Sequence, residues 1–552
     1  MKLLLALLLA APLAGVCGAA QKPSLRRRSP LDEGAQRAPF AASALRQPSG
    51  ALLSRVRGGE RMGLMPVYKK EMPMFFTFAF MMFCTIFIFT MARDTKDTLV
   101  VTSAGAEAIA FLKVYFVIPA SMLFFLLYSK MSNVLSKRVL FASTMLPFIA
   151  FYALFGFVLY PLRDSIHLKE FANVPEGISY LFKLAQFWSF TLYYIVSELF
   201  GSVGVPLLFW QTANDLVGVE QAKRWYPLFS TFGNLGPIVA GQTSAFVNAR
   251  FDYEAGLRIL TVLMVAAGAG SLLSFFGVQR MADTERANKA MALADSAARL
   301  TAAAPAGNLA APAATVAKKK KPKLSMAQSL ALLARSEYLG LVCVLVLSYG
   351  LSIEFTEIMW KAVIKKYLPA KSDYMRFMGQ YSTAVGVTTL LMTLVGSQIP
   401  KRFGWKAGAM VTPVVIGSLS WIFFAYITFG NVESAPSALK MAVIVGTVQN
   451  VLSKAVKYAL FDPTKEMAYI PLDEDSKQKG KAAIDVLGAR LGKSGGALIQ
   501  QAIVVYTGSI LGGAPLIAAL FSCVIVAWIA SVNKLSVLFQ AKLKAMQSAE
   551  AE

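Results

Sequence analysis

"MFFTFAFMMFCTIFIFTMARDTKDTLVV", Met74 to Val101, runs from an apolar stretch ending at Ala92 into four charges within five positions. At about 1.5 Å per residue the apolar part is a helix long enough to cross a hydrocarbon core of about 30 Å. Arg93 and Lys96 are three residues apart, as are Asp94 and Asp97, so a continuing helix shows a cationic and an anionic stripe side by side. Two readings of this cluster compete. It is either the ordinary interfacial end of a first span, or a polar surface whose cations face an anion such as phosphate.

The rest of the chain favours lipid as the solvent. Of 552 residues 56% are hydrophobic and only 16% charged, outside the range of ordinary soluble domains. Apolar runs recur near 74–92, 111–128, 139–161, 184–209, 227–247 and 257–279, then near 337–356, 378–397, 408–429, 440–460, 487–508 and 514–533. The expected fold is an all-α polytopic membrane protein of 12 transmembrane helices in two six-helix halves, residues 71–280 and 336–536. Residues 281–335, with "AAAPAGNLAAPAATVAKKKKPKLS", form a basic connector, and 537–552 a tail.

The halves repeat one another. "LLFWQTANDLVGVEQAKRWYPLFSTFGNLG" from Leu207 aligns with "ALFDPTKEMAYIPLDEDSKQKGKAAIDVLGARLGKSGG" from Ala459, matching Leu208-Phe209 to Leu460-Phe461, Thr212 to Thr464, Gly233 to Gly492 and Gly236 to Gly495. Lys137-Arg138 and Lys401-Arg402 each follow the second span of their half. Two six-helix repeats joined by a long loop are the plan of major-facilitator carriers, which hold substrate between the halves.

The formal charge of +24 is unevenly placed. Residues 280–335 hold ten basic residues against three acidic ones, and "YSKMSNVLSKRVL" and "PKRFGWKAG" are basic without an acid. With twelve spans these loops share one face, which the positive-inside rule makes the inner one, together with both termini. The N-terminus, "MKLLLALLLAAPLAGVCGAA", is built as a signal peptide over residues 1–20. Residues 21–70, rich in Arg, Ser and Ala, read as a transit peptide or as a basic N-terminal arm; a signal followed by a transit segment suggests a plastid reached through the secretory route.

Charges inside spans are costly and point to cavities or partners. Glu198 lies within "YYIVSELFGSVGV"; Glu354 and Glu357 close the seventh span with Lys361 one turn on; Lys454 and Lys457 share a face of the tenth; Lys493 opens the eleventh in "GARLGKSGG". That last segment is not a phosphate loop, because G-x-x-x-x-G-K-[ST] requires glycine where Leu487 stands. Its glycines suit close helix packing, or a break where backbone N–H groups meet an anion. Cys17, Cys84, Cys343 and Cys523 lack metal-site or disulfide spacing, and the single histidine, His167, falls in a polar loop where a solvated ring is expected.

"RDTKDTLVVTSAGAEAIAFLKVY", "LLFWQTANDLVGVEQAKRWYPLF", "SIEFTEIMWK" and "KYALFDPTKEMAYIPLDEDSKQKGKAAIDVLGARLGKSGGALIQQ" resemble the nucleotide transporter family, the ATP/ADP translocases of plastids and intracellular bacteria. The likeness covers nearly all of residues 70–540 and is greatest to nucleoside triphosphate carriers of algal secondary plastids. It implies exchange of ATP for ADP, or of other nucleoside tri- and diphosphates, across a plastid envelope without hydrolysis. It further implies that Lys96, Glu198, Glu357 and Lys493 are the charged positions that serve transport. Arg93 is a secondary phosphate candidate and Asn214, with donors and an acceptor, a candidate base contact. Where plant exchangers tend to read "CNPLGKSGG" this chain has "LGARLGKSGG", which leaves strict ATP/ADP selectivity open. The expected partners are nucleotides and the lipid bilayer; neither a cofactor nor nucleic acid is expected, and the chain is not read as an enzyme. A proton-coupled nucleoside triphosphate importer, with Glu198 or Glu357 carrying the proton, is the alternative.

The topology is directly testable. A tag between Lys318 and Lys321 and a tag at Glu552 should share one protease accessibility, while a tag near Glu433 should show the opposite. Equal accessibility at all three sites would contradict the twelve-span arrangement.

Overall fold

The computed structural model describes residues 61–62, 65–171, 174–303, 336–396, 398–430, 432, 435–473, 476–477, 480–481, 484 and 489–551. The chain divides into residues 1–70 and 71–552. In the first unit the described part contains a short antiparallel hairpin, β1 (Arg61–Met62) against β2 (Met65–Tyr68). The expected signal peptide, most of the basic arm and residues 304–335 of the connector lie outside the described residues.

The second unit is helical. Its first half comprises α1 (Met72–Ser103), α2 (Ala108–Val134), α3 (Lys137–Leu159), α4 (Trp188–Leu216), α5 (Val219–Gly233), α6 (Leu235–Arg250) and α7 (Tyr253–Ala303). Its second comprises α8 (Glu337–Tyr367), α9 (Lys371–Gly396), α10 (Gln398–Phe429), α11 (Pro436–Met467), α12 (Ala489–Thr507) and α13 (Ala514–Ala551). Among the described residues nine helices are long and apolar enough to cross a membrane: α1 to α4, α7, α8, α10, α11 and α13. The other three expected spans fall on α5–α6, α9 and α12, where glycines, hydroxyls and amides lower the apolarity. Large apolar side chains such as Leu123, Leu126, Leu273, Leu394 and Val526 lie exposed on the helices, as a surface facing lipid requires.

Three boundaries differ from the sequence reading. α1 does not stop at Ala92 but runs to Ser103, so the charges from Arg93 to Asp97 lie within a helix, and Asp94, Lys96 and Asp97 are buried. The interfacial reading of that cluster therefore fails. α7 carries on through the first part of the expected connector to Ala303, because Ala, Met, Leu, Arg and Glu there are strong helix formers. α13 likewise absorbs the expected tail up to Ala551.

The repeat has a backbone signature. Gly204–Phe209 in α4 and Lys457–Phe461 in α11 are both wide π-helical turns, and they cover the aligned Leu208-Phe209 and Leu460-Phe461. One turn on, the hydroxyl of Thr212 donates to the Leu208 carbonyl and that of Thr464 to the Leu460 carbonyl, each at 2.7 Å. Each wide turn frees backbone groups that a hydroxyl then helps to satisfy.

One end of the bundle, here the near end, holds the starts of α1 and α8 and the stretches of α7 and α13 around Asp283 and Lys534. There Arg224 binds Glu71 at 2.8 Å, Arg138 pairs with Asp283, and Lys534 with Glu337. Toward the far end the two halves meet along α6 and α9, where backbones touch at glycine: a Cβ on Gly379 would lie 2.6 Å from the Gly241 carbonyl oxygen, and one on Gly386 2.6 Å from the Ile238 side chain. Small residues allow this approach in lipid, where packing rather than hydrophobic expulsion holds helices together.

Gly379→Val should lower the thermal unfolding midpoint of the detergent-solubilised protein, since forcing atoms into a closed seam costs about 1–3 kcal/mol. Gly277→Ala, whose added carbon would make an ordinary 3.6 Å contact with Thr77, should change little. Similar midpoints for the two variants would show that the α6–α9 seam does not limit stability.

Candidate functional site

Intramembrane charges gather where α1 passes between the halves. On α1, Lys96 Nζ lies 2.8 Å from Asp97 Oδ1, 3.0 Å from Glu198 Oε1 of α4 and 3.8 Å from the centre of the Tyr194 ring. Tyr194 and Glu198 are four apart, so one face of α4 offers a ring and a carboxylate to the same ammonium. The other oxygen of Asp97 lies 2.9 Å from Lys361 on α8, across the boundary between halves. Lys361 also binds Glu357 one turn earlier at 3.2 Å, and Glu357 is 3.6 Å from Lys454 of α11. Lys454 in turn stands 5.1 Å from the Tyr381 ring of α9. The result is an alternating chain, Glu198, Lys96, Asp97, Lys361, Glu357, Lys454, that runs from one half into the other.

A second link lies one turn back along α1. Arg93 donates to Asp94 at 3.1 Å and to the hydroxyl of Ser382 on α9 at 2.7 Å, while that hydroxyl donates to the other Asp94 oxygen at 2.5 Å. A third pair joins Lys113 of α2 to Glu354 of α8 at 2.7 Å. Among the described side chains these groups amount to five carboxylates and five cations, so the cluster is neutral as a set. Pairing of this kind is what low-dielectric surroundings demand, because an unpartnered charge there costs several kcal/mol.

Burial separates the members of the chain. Asp97 and Lys361, in the middle, are 1% and 4% exposed, whereas Glu198 and Glu357 are 34% and 20% exposed. The outer carboxylates are open to water, whereas the middle pair is the buried joint between the halves.

The sequence-selected residues divide accordingly. Lys96, Glu198, Glu357 and Arg93 come together with Lys361 and Lys454. The side chain of Lys493 lies outside the described residues; its backbone is in the first turns of α12. Asn214 is not brought to this cluster: it lies sixteen residues past Glu198, roughly 24 Å along α4, and accepts a 2.7 Å hydrogen bond from Tyr226. Lys454 and Lys457 part company, because the π turn starting at Lys457 carries that side chain to Asp462 at 3.0 Å, five residues on. Sequence reasoning overlooked Lys113, although one lysine in the apolar run "AIAFLKVYFVI" carries the same cost as the charges it did select. Tyr194, Tyr381 and Ser382 left no signal, since such residues are common in any span. His167 is half-buried rather than solvated: its Nε2 lies 2.7 Å from the Ser189 hydroxyl, and burial, aided by the charge of Lys371, holds its pKa below the usual value.

Residues 55–539 match the family model described as "TLC ATP/ADP transporter". The chain belongs to this family. It is 40% identical over 513 residues to ADP,ATP carrier protein 1 of Chlamydia pneumoniae, covering 87% of this chain and 94% of that one. It is 39% identical to the chloroplastic ADP,ATP carrier protein 1 of Arabidopsis thaliana, over 82% and 72% of the two chains. Among solved structures, an inward-facing bacterial homologue of the iron transporter ferroportin superposes with a TM-score of 0.51 at 14% identity, covering 82% of this chain and 98% of that one. That likeness is one of fold, the major-facilitator architecture expected from the paired halves. The family is one of transporters, and the chain is a multi-pass membrane protein of that class.

Lys361→Met should be far more destabilising than Glu198→Gln. It leaves Glu357 and Asp97 short of a buried cation, a loss of about 3–5 kcal/mol, whereas a partly exposed pair contributes about 1 kcal/mol or less. Melting midpoints of the two purified variants give the comparison; equal shifts would place no special weight on the middle of the chain.

Proposed function

We propose that this protein exchanges ATP for ADP, or other nucleoside tri- and diphosphates, across a plastid envelope membrane by alternating access and without hydrolysis. The observation that carries this reading is the neutral charge chain between the halves, whose outer carboxylates, Glu198 and Glu357, are more exposed than the central Asp97. Lys96 and Lys493 take phosphate oxygens from opposite halves, with Arg93 in support. Glu198 and Glu357 hold the cations until the polyanion replaces them, so buried charge stays compensated throughout the cycle. Asn214, well along α4 toward the near end, contacts the base as the nucleotide enters. The conformation with α6 and α9 in contact is the one open toward the near end. A signal-like N-terminus followed by an Arg- and Ser-rich stretch supports the plastid envelope as the location.

The test is uptake of labelled ATP into proteoliposomes. Uptake should require ADP or another nucleotide inside, release no phosphate, and vary little between pH 6 and pH 8. Lys96→Ala should reduce it at least tenfold, because a charge-assisted hydrogen bond contributes about 1.5–3 kcal/mol and tenfold is about 1.4. Concentrative uptake into empty vesicles under an inward proton gradient, lost in Glu198→Gln or Glu357→Gln, would replace exchange by proton symport.

A further inference from the structure

The polar links between the halves differ in what each charge keeps if the halves part. Asp97 retains Lys96 of its own helix at 2.8 Å, Lys361 retains Glu357 at 3.2 Å, and Arg93 retains Asp94 at 3.1 Å. Lys365 crosses only to a backbone carbonyl, that of Thr102, at 2.5 Å. The first three links can open with each charge still paired on its own half, and opening the Lys365 link breaks no ion pair.

Lys113 and Glu354 are built differently. The ammonium lies 2.7 and 2.9 Å from the two oxygens of a carboxylate that is only 3% exposed. Among the described residues neither side chain forms an ion pair within its own half. The glutamate is held in place from behind: Gln500 of α12 donates to its backbone carbonyl at 3.0 Å, and Gly496 packs so close that a Cβ would lie 2.9 Å from Glu354 Cβ. Lys113 opens the π turn Lys113–Val117 of α2, and two residues on the Tyr115 hydroxyl accepts a 2.8 Å hydrogen bond from Gln501. The pair also has the reverse polarity of Asp97–Lys361, an N-half cation on a C-half acid, so only one register of the halves satisfies both.

We propose that Lys113 and Glu354 are the lock that holds the far end of the carrier shut and sets the balance between its two facing states, apart from the charges that handle substrate. Parting the halves there strips Glu354 of its cation until water arrives, so this pair resists opening, while in the chain through Lys96 and Lys361 each charge keeps an opposite charge on its own half, so the chain yields. The inference rests on the alternating-access reading but not on which nucleotide is carried. Both residues are positioning residues: they act through the joint, not on the ligand.

The test uses the full chain in proteoliposomes, with its cysteines replaced by serine and Thr383→Cys as reporter. Thr383 sits half-buried in the α6–α9 seam, its hydroxyl 3.4 Å from the Ile238 carbonyl, so its replacement thiol reacts faster with a charged maleimide as the seam opens. Without nucleotide, Lys113→Gln combined with Glu354→Gln should speed labelling about tenfold, a shift of about 1.4 kcal/mol in the state balance. The single reversal Lys113→Glu should label quickly too, and Lys113→Glu with Glu354→Lys should return the rate to within about twofold of the parent. Unchanged labelling in the doubly neutral variant, or a swapped pair as fast as the single reversal, overturns the lock. Because no nucleotide is present, that outcome would leave the exchange reading standing, whereas absent exchange in a parent whose labelling responds as expected would strike the substrate assignment alone.

Discussion

Everything in the centre of this molecule follows from one constraint: a charge at membrane depth must find a counter-charge. Asp97 meets it twice, with Lys96 beside it on α1 and Lys361 across the boundary on α8. That double engagement makes one carboxylate both the organiser of its own helix and a joint between the halves. Extending it outward through Glu198 and through Glu357 to Lys454 gives a neutral chain with a dry middle and wetter ends. Such a chain joins the halves through buried charges and leaves its outer carboxylates open to water.

The backbone around the chain is irregular where it has to be. Wide turns interrupt α2 at Lys113, α3 at Phe155, α4 at Gly204 and α11 at Lys457. In α11 the turn separates Lys454, which faces Glu357, from Lys457, which is led away to Asp462. In α4 the turn lies between Glu198 and Asn214, so the helix is not one continuous register from the charges to the near end. The same irregularity at aligned places in the halves indicates that the repeat conserves a mechanical feature as well as a hydrophobic pattern.

The far seam obeys a different rule. α6 and α9 approach through glycines, a contact that is tight because no Cβ stands between the backbones. Ionic links that keep a partner on their own half, a glycine seam that relies on shape, and one ion pair with no spare partner among the described residues together make a joint that closes firmly and parts in a defined order.

The sequence by itself determined the class and the plan. Apolar runs of membrane length, basic loops on one face and the matched "LLF" and "ALF" segments dictate paired helical halves, because lipid leaves helices as the way for such chains to satisfy their backbones. It also singled out Lys96, Glu198, Glu357 and Lys361, because charge in an apolar run is costly wherever it occurs. Which charge meets which was not written there. The Asp97–Lys361 pair, the Lys113–Glu354 pair and the Arg93–Ser382 contact join residues more than two hundred positions apart, and helical periodicity carries no information across such distances. The end of α1 stays ambiguous in the sequence for the same reason: "RDTKD" reads equally as a water-facing terminus until its partners arrive from α4, α8 and α9. Tertiary structure decided those partners, and with them whether the charges mark a surface or a site.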